Sequence, residues 1–132
     1  MVRAETQWHV GWMLHRDVTG QIIGSAMTVL NELKPGLAEK VYENALVLEL
    51  RARGRLAEQQ RGFDIEFRGQ RIGRLVPELI VDGLVVVETK VVTTFNDSHV
   101  AQMIGYLNIT RLSVALLLNF KEATLEWKRI VR

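Results

Sequence analysis

The chain has 132 residues, 48% of them hydrophobic and 24% charged, with a formal net charge of +2 and no cysteine. That length suits one domain rather than two, the apolar content excludes a disordered chain, and the missing thiols exclude a disulfide or a thiolate-held metal. The longest apolar run, Val114 to Leu118, is far short of the roughly 20 residues that span a bilayer. The start of the chain has a lone Arg3 and no apolar core followed by a cleavage site, so a cytoplasmic location is expected and no membrane partner.

In chain order, Ile22, Ile23, Ala26, Met27, Leu30 and Leu33 recur at helical spacing after Thr19. This predicts a first helix to about Leu33, capped by Asp17 or Thr19. Lys34-Pro35-Gly36 breaks it, because proline cannot continue a helix and glycine accepts the turn. A second helix is predicted from about Leu37 to Arg53, ending at Gly54. Val41, Ala45, Leu46, Val47, Leu48 and Leu50 make it apolar almost all round, as suits a helix packed between neighbours.

From Glu58 the period changes to two, with Phe63, Ile65 and Phe67 alternating against Asp64, Glu66 and Arg68, the pattern of a half-buried strand turning at Arg68-Gly69-Gln70. Arginines 51, 53, 55, 61, 68, 71 and 74 outnumber Glu58, Asp64 and Glu66 across this region. Such an excess can meet phosphates, and a solvated surface of ordinary arginines is the competing reading. Leu75 to Val81 and Leu84 to Val92 read as strands flanking the hairpin signal Asp82-Gly83. Asn96, Asp97 and Ser98 can cap a third helix, in which Val100, Met103, Ile104 and Leu107 form one apolar stripe. Leu112 to Leu118 and Glu126 to Val131 complete the order ααβββαββ, an α/β domain with a mixed central sheet flanked by helices.

Glu88 and Lys90, two residues apart on a predicted strand, project from one face. Whether Glu78 joins them depends on the turn. A two-residue Asp82-Gly83 loop puts Glu78 and Glu88 on opposite faces, whereas a three-residue Val81 to Gly83 loop, or a bulge elsewhere in the pair, puts both carboxylates on the face of Lys90. Two carboxylates and a lysine beside apolar strands are costly to bury unless they are paired or bound to a cation. Their oxygens suit Mg²⁺ or Mn²⁺, which also holds a substrate phosphate, and the lysine can orient or deprotonate an attacking water. A cross-strand Glu–Lys pair on a solvated sheet is the alternative.

Gly36-Leu37-Ala38-Glu39-Lys40-Val41-Tyr42 spells G-x-x-E-x-x-Y upstream of Glu78 and Glu88-Thr89-Lys90, with Gln102 and Tyr106 downstream. On these motifs, and on others from about Leu14 to Val131, the chain resembles the GxxExxY protein family, a branch of the restriction-endonuclease-like PD-(D/E)xK superfamily. The resemblance implies a single nuclease-like domain over residues 13–132 with an N-terminal extension over 1–12. It also implies a Mg²⁺-dependent (or Mn²⁺-dependent) deoxyribonuclease in which Glu78 and Glu88, with Thr89 between them and Lys90, hold the metal. Lys90 would act on the water, Glu39 would add an acid through the metal or its waters, and Gln102 and Tyr106, one helical turn apart, would line the site. At position 78 the family more usually carries aspartate.

Without the resemblance, Glu39 reads equally as an acid favouring its helix dipole, and Gln102 and Tyr106 as a polar face. The three histidines lack paired metal-ligand spacing, and no P-loop, G-x-S-x-G or G-x-G-x-x-G is present. Two further readings stand beside the nuclease. One is a catalytically weak or inactive nucleic-acid-binding or scaffold module that keeps the fold. The other is an oligomer built on exposed strands through Trp8, Trp12 and the N-terminal extension, against which stands simple packing of those tryptophans on their own domain. No base-reading motif is present, so nucleic acid, DNA before RNA, is expected to be met through its backbone. The resemblance and the small size leave a homodimer as an open assembly.

Overall fold

The computed structural model describes residues 3–4 and 14–132. Trp8, Trp12 and most of the N-terminal extension lie outside the described residues. In order, the elements are β1 (Arg3–Ala4), α1 (Arg16–Leu33), α2 (Glu39–Ala52), β2 (Ala57–Glu58), β3 (Phe63–Phe67), β4 (Gln70–Leu75), β5 (Leu79–Val81), β6 (Val85–Lys90), α3 (Asp97–Thr110), β7 (Val114–Asn119) and β8 (Glu126–Val131). Six strands form one mixed sheet in the order β1-β8-β7-β6-β5-β2, and β3 and β4 form a separate two-stranded sheet. The β6–β7 pair is parallel and its connection is α3, since parallel neighbours need a crossover. The other neighbours in both sheets are antiparallel.

Alternation along the central strands divides the core into two layers. Val85, Val87, Leu116 and Leu118 pack with Ile22, Leu30, Tyr42, Leu46 and Leu50 of α1 and α2. On the opposite face Val86, Ala115 and Leu117 pack with Met103 and Leu107 of α3. Strands covered on both faces have no polar side to show, which is why β7 reads as an unbroken apolar run.

The expected ααβββαββ order is roughly matched: β1 and β2 are additional to it, β4 forms where only a turn was expected, and other boundaries differ for local reasons. α1 begins at Arg16 behind His15 in a left-handed conformation, and neither Asp17 nor Thr19 caps it. The Thr19 hydroxyl instead donates to the Arg16 carbonyl within the helix. α2 is one-sided rather than apolar all round: Tyr42, Leu46, Val47 and Leu50 are buried, while Leu48 is 70% exposed. Of the expected strand from Leu75 to Val81 only β5, Leu79–Val81, forms, and Leu75 is instead the last residue of β4. Between them stands Pro77, which has no N–H to give a ladder. α3 is capped as expected by Asn96, which accepts from the His99 amide while the His99 ring accepts from the Asn96 amide.

Candidate metal and phosphodiester site

The site forms where β6 leaves the core. The β5–β6 ladder pairs Val81 with Val85, Ile80 with Val86 and Leu79 with Val87, so its loop is Asp82-Gly83-Leu84. Neither loop expected from the sequence is the one formed. Asp82 and Gly83 both take positive φ, 55° and 67°, Leu84 N donates to the Val81 carbonyl at 3.0 Å, and Leu84 is the extra residue before pairing begins. Continued by one step, this register sets Glu78 directly opposite Glu88, and directly opposed residues share a face.

Two reciprocal contacts tie the acids together. The Glu78 amide donates to Glu88 Oε1 at 3.3 Å, and the Thr89 amide donates to Glu78 Oε1 at 2.9 Å, joined by the Thr89 hydroxyl on the same oxygen. The Glu78 carboxylate thus satisfies a strand N–H that β5, stopped by Pro77, cannot reach. Glu88 is only 6% exposed and Glu78 is half-buried. Burial, then the charge of Glu88, pushes Glu78 up to about 8, against the pull of the Thr89 hydrogen bonds. Burial also raises Glu88, and the hydrogen bonds from Glu78 and the charge of Lys90 oppose it.

The α3 side of the site carries a polar chain. Lys90 Nζ donates to Gln102 Oε1 at 3.4 Å, and Gln102 Nε2 donates to the Tyr106 hydroxyl at 3.0 Å. Burial raises the Tyr106 phenol, and the charges of Glu88 and Glu78 add to the effect, which places the tyrosine in the field of both acids.

From the other side α2 presents its first turn. Tyr42 stacks on Phe120 with ring centroids 4.7 Å apart. Its hydroxyl donates to the Lys34 carbonyl at 2.6 Å and accepts from the Leu37 amide at 3.1 Å. The tyrosine of the G-x-x-E-x-x-Y motif therefore fixes the turn from which α2 starts. At that start Glu39, solvent-exposed, accepts from the Val91 amide at 3.1 Å, one residue beyond Lys90. Asn119 clasps the same segment, accepting from the Val92 amide at 3.1 Å and donating to its carbonyl at 2.7 Å. The seven expected site residues thus gather at one end of β6, with Glu39 at the rim and tied to backbone.

Sequence reasoning passed over Glu43 and Lys40. Glu43 is 4% exposed, accepts from Lys40 Nζ at 2.9 Å and from Gln59 Nε2 at 2.5 Å, and its charge helps raise Glu88. Lys40 is raised by its hydrogen bond to Glu43, and the charge of Glu78 also reaches it. The available signal was that Glu43 lies one turn after Glu39 on the stripe of Tyr42 and Leu46.

Among the described residues no group of three or more His, Asp or Glu side chains is placed to hold a metal ion. The carboxylate donors that face each other are two, Glu78 and Glu88, while the Thr89 hydroxyl is already given to Glu78. Two carboxylates fit Mg²⁺, which retains waters and completes its shell with substrate phosphate rather than with an all-protein cage.

The family model of the PD-(D/E)XK nuclease superfamily matches residues 16–130. No curated protein and no solved structure matches the chain. The match takes in every element from α1 to the penultimate residue of β8 and all of the side chains described above, and the chain belongs to the PD-(D/E)XK nuclease superfamily.

Proposed function

We propose that the protein hydrolyses phosphodiester bonds of nucleic acid, DNA before RNA, with Mg²⁺ or Mn²⁺ held by Glu78 and Glu88. The observation that carries this reading is the facing carboxylate pair, joined through Thr89 and the Glu78 amide and raised by burial. Two acids confined with so little water are poorly stabilised as two charges, and a divalent cation relieves both desolvation and repulsion. When bound, that cation neutralises charge developing on the scissile phosphate. Lys90 orients the attacking water, positioned for this by Gln102, and Tyr106 fixes Gln102 in turn. Glu39 contributes from the rim through water, and its hold on the Val91 amide keeps the end of β6 in place. The backbone oxygen of Thr89 is the proposed third protein ligand.

We place the protein in the GxxExxY branch of the superfamily and in the cytoplasm, with residues 13–132 as the working domain and a homodimer as the assembly. The Glu78 side chain, a methylene longer than aspartate, favours a second reading, a nucleic-acid-binding module with little or no cleavage.

Calorimetric titration of Mn²⁺ and Mg²⁺ into wild type and Glu88→Ala, followed by cleavage of labelled single- and double-stranded DNA on the same samples, separates the two. The nuclease predicts metal binding and metal-dependent cleavage that both disappear in Glu88→Ala. Wild type that binds no metal sinks the catalytic reading and leaves the binding module.

A further inference from the structure

The β3–β4 hairpin stands apart from the main sheet. Its register pairs Phe63 with Leu75, Asp64 with Arg74, Ile65 with Gly73, Glu66 with Arg71 and Phe67 with Gln70, with an irregularity after Ile65. Paired residues share a face, so one face carries Phe63, Ile65, Phe67 and Leu75 and the other Asp64, Glu66, Arg71 and Arg74. The base of the apolar face is half-buried, and β3 packs against α3. Toward the tip the hairpin has no such cover: Phe67 is 57% exposed, and Ile72, unpaired at the irregularity, is 65% exposed. Arg68 and Gly69 turn the tip, both at positive φ.

Most arginines of this region are engaged within the fold. Arg53 pairs with Glu49, Arg55 with Asp82, Arg61 with Glu58 and Arg71 with Asp64, and Arg51 donates to the Ala57 carbonyl. Arg68 and Arg74 have no carboxylate partner among the described residues. Arg68 lies over the exposed Phe67 ring, 4.9 Å from its centroid. The Arg74 guanidinium crosses Gly62 so closely that a Cβ there would stand 2.1 Å from Nε, so the glycine leaves room for that arginine to lie across it.

Position decides what this surface meets. β4 ends at Leu75, three residues before Glu78, a reach of at most about 11 Å. From Leu75 to Gln70 the arm extends about 17 Å, room for several nucleotides. Its base adjoins α3, which carries Gln102 and Tyr106. We propose that the β3–β4 hairpin is an arm that holds the nucleic-acid strand leading into the Glu78–Glu88 site, Arg68 and Arg74 meeting phosphates and Phe67 and Ile72 meeting bases. This deepens the nuclease reading and rests on it for the identity of the substrate. Arg68 beside the exposed Phe67 ring, with Arg74 on the opposite face of the narrow two-stranded arm, complements a polyanion that has stacking faces. A second copy of the chain, with the same cations, would oppose charge to like charge.

Binding of the full chain to labelled single-stranded and duplex DNA is measured by fluorescence anisotropy in EDTA over a range of salt, so that no cleavage intervenes. The double variant Arg68→Ala/Arg74→Ala is expected to bind about tenfold more weakly or worse and to lower the slope of log affinity against log salt by about one to two. Phe67→Ala/Ile72→Ala is expected to weaken single-strand binding about fivefold or more with the slope unchanged. Arg111→Asn, at the far end of α3, keeps wild-type binding. Wild-type affinity and slope in both double variants overturn the arm, and so does a change of oligomeric state in them with DNA binding intact, which assigns the face to a second copy. Arm-dependent binding by a wild type that cleaves nothing with metal supports the arm and removes the nuclease reading instead.

Discussion

A carboxyl that loses most of its water beside a second carboxyl keeps its proton far above the usual range, and Glu78 is in that position. Its pKa is pushed from the ordinary 4.5 to about 8 on folding, by burial first and then by Glu88. Between those values the native chain binds more protons than the unfolded one, so stability present at acidic pH is lost as pH rises toward 8. In EDTA, urea unfolding is expected to give a free energy larger at about pH 5.5 than at about pH 7.5 by on the order of 1–2 kcal/mol. Glu78→Gln flattens that slope, and saturating Mn²⁺ reverses it, because the cation competes with the proton for the same oxygens. A metal-free wild type whose stability climbs across this interval contradicts the described environment of the pair.

At the level of elements, the site depends on a register set from outside its own hairpin. The Asp82 carboxylate accepts from the Leu56 amide at 2.8 Å and from Arg55 Nη1 at 2.9 Å, and the Asp82 amide donates to the Leu56 carbonyl at 2.7 Å. The segment after α2 therefore clamps the loop whose length decides that Glu78 faces Glu88. Asp82→Ala removes two acceptor contacts and places alanine at a positive φ, a loss of about 1–3 kcal/mol in urea unfolding. Metal affinity, read by the same calorimetry, is expected to fall with it, whereas Asp82→Asn, which tolerates that φ, loses less.

The same hairpin marks how far the sequence could be read. α3, its Asn96 cap and its stripe from Val100 to Leu107 are local patterns, and they are where the spacing predicts them. The presence of a hairpin at Asp82-Gly83 was equally legible, because few other residues accept consecutive positive φ. Its register was not, since that follows from the clamp by Arg55 and Leu56, far away in the chain. The break at Pro77 is a local signal, a residue with no N–H for a ladder, but the expected strand from Leu75 to Val81 ran through it. The place of Glu43 on the stripe of Tyr42 and Leu46 was legible but its role was not, because Gln59, which holds it inside, comes from another element and no local pattern announces that contact.

Across the whole molecule, the acids stand where β6 runs out beside its parallel neighbour β7, with α2 on one side and α3 on the other. The rigid sheet supplies Glu88 and Lys90, while Glu39, Gln102 and Tyr106 arrive on helices that the two core layers hold against it. Glu78 and Glu88 are nonetheless ten residues apart in the chain and belong to one hairpin. Closing a loop of that size takes well under a microsecond, whereas joining β6 to β7 must await the α3 crossover. The two charges therefore meet early, and their repulsion opposes folding before most of the core has formed. A divalent cation should accordingly act on the forward rate. In stopped-flow refolding at about pH 8, Mn²⁺ is expected to speed the folding limb several-fold in wild type and to leave Glu78→Gln unchanged. If Mn²⁺ slows only unfolding, the hairpin closes after the rate-limiting step.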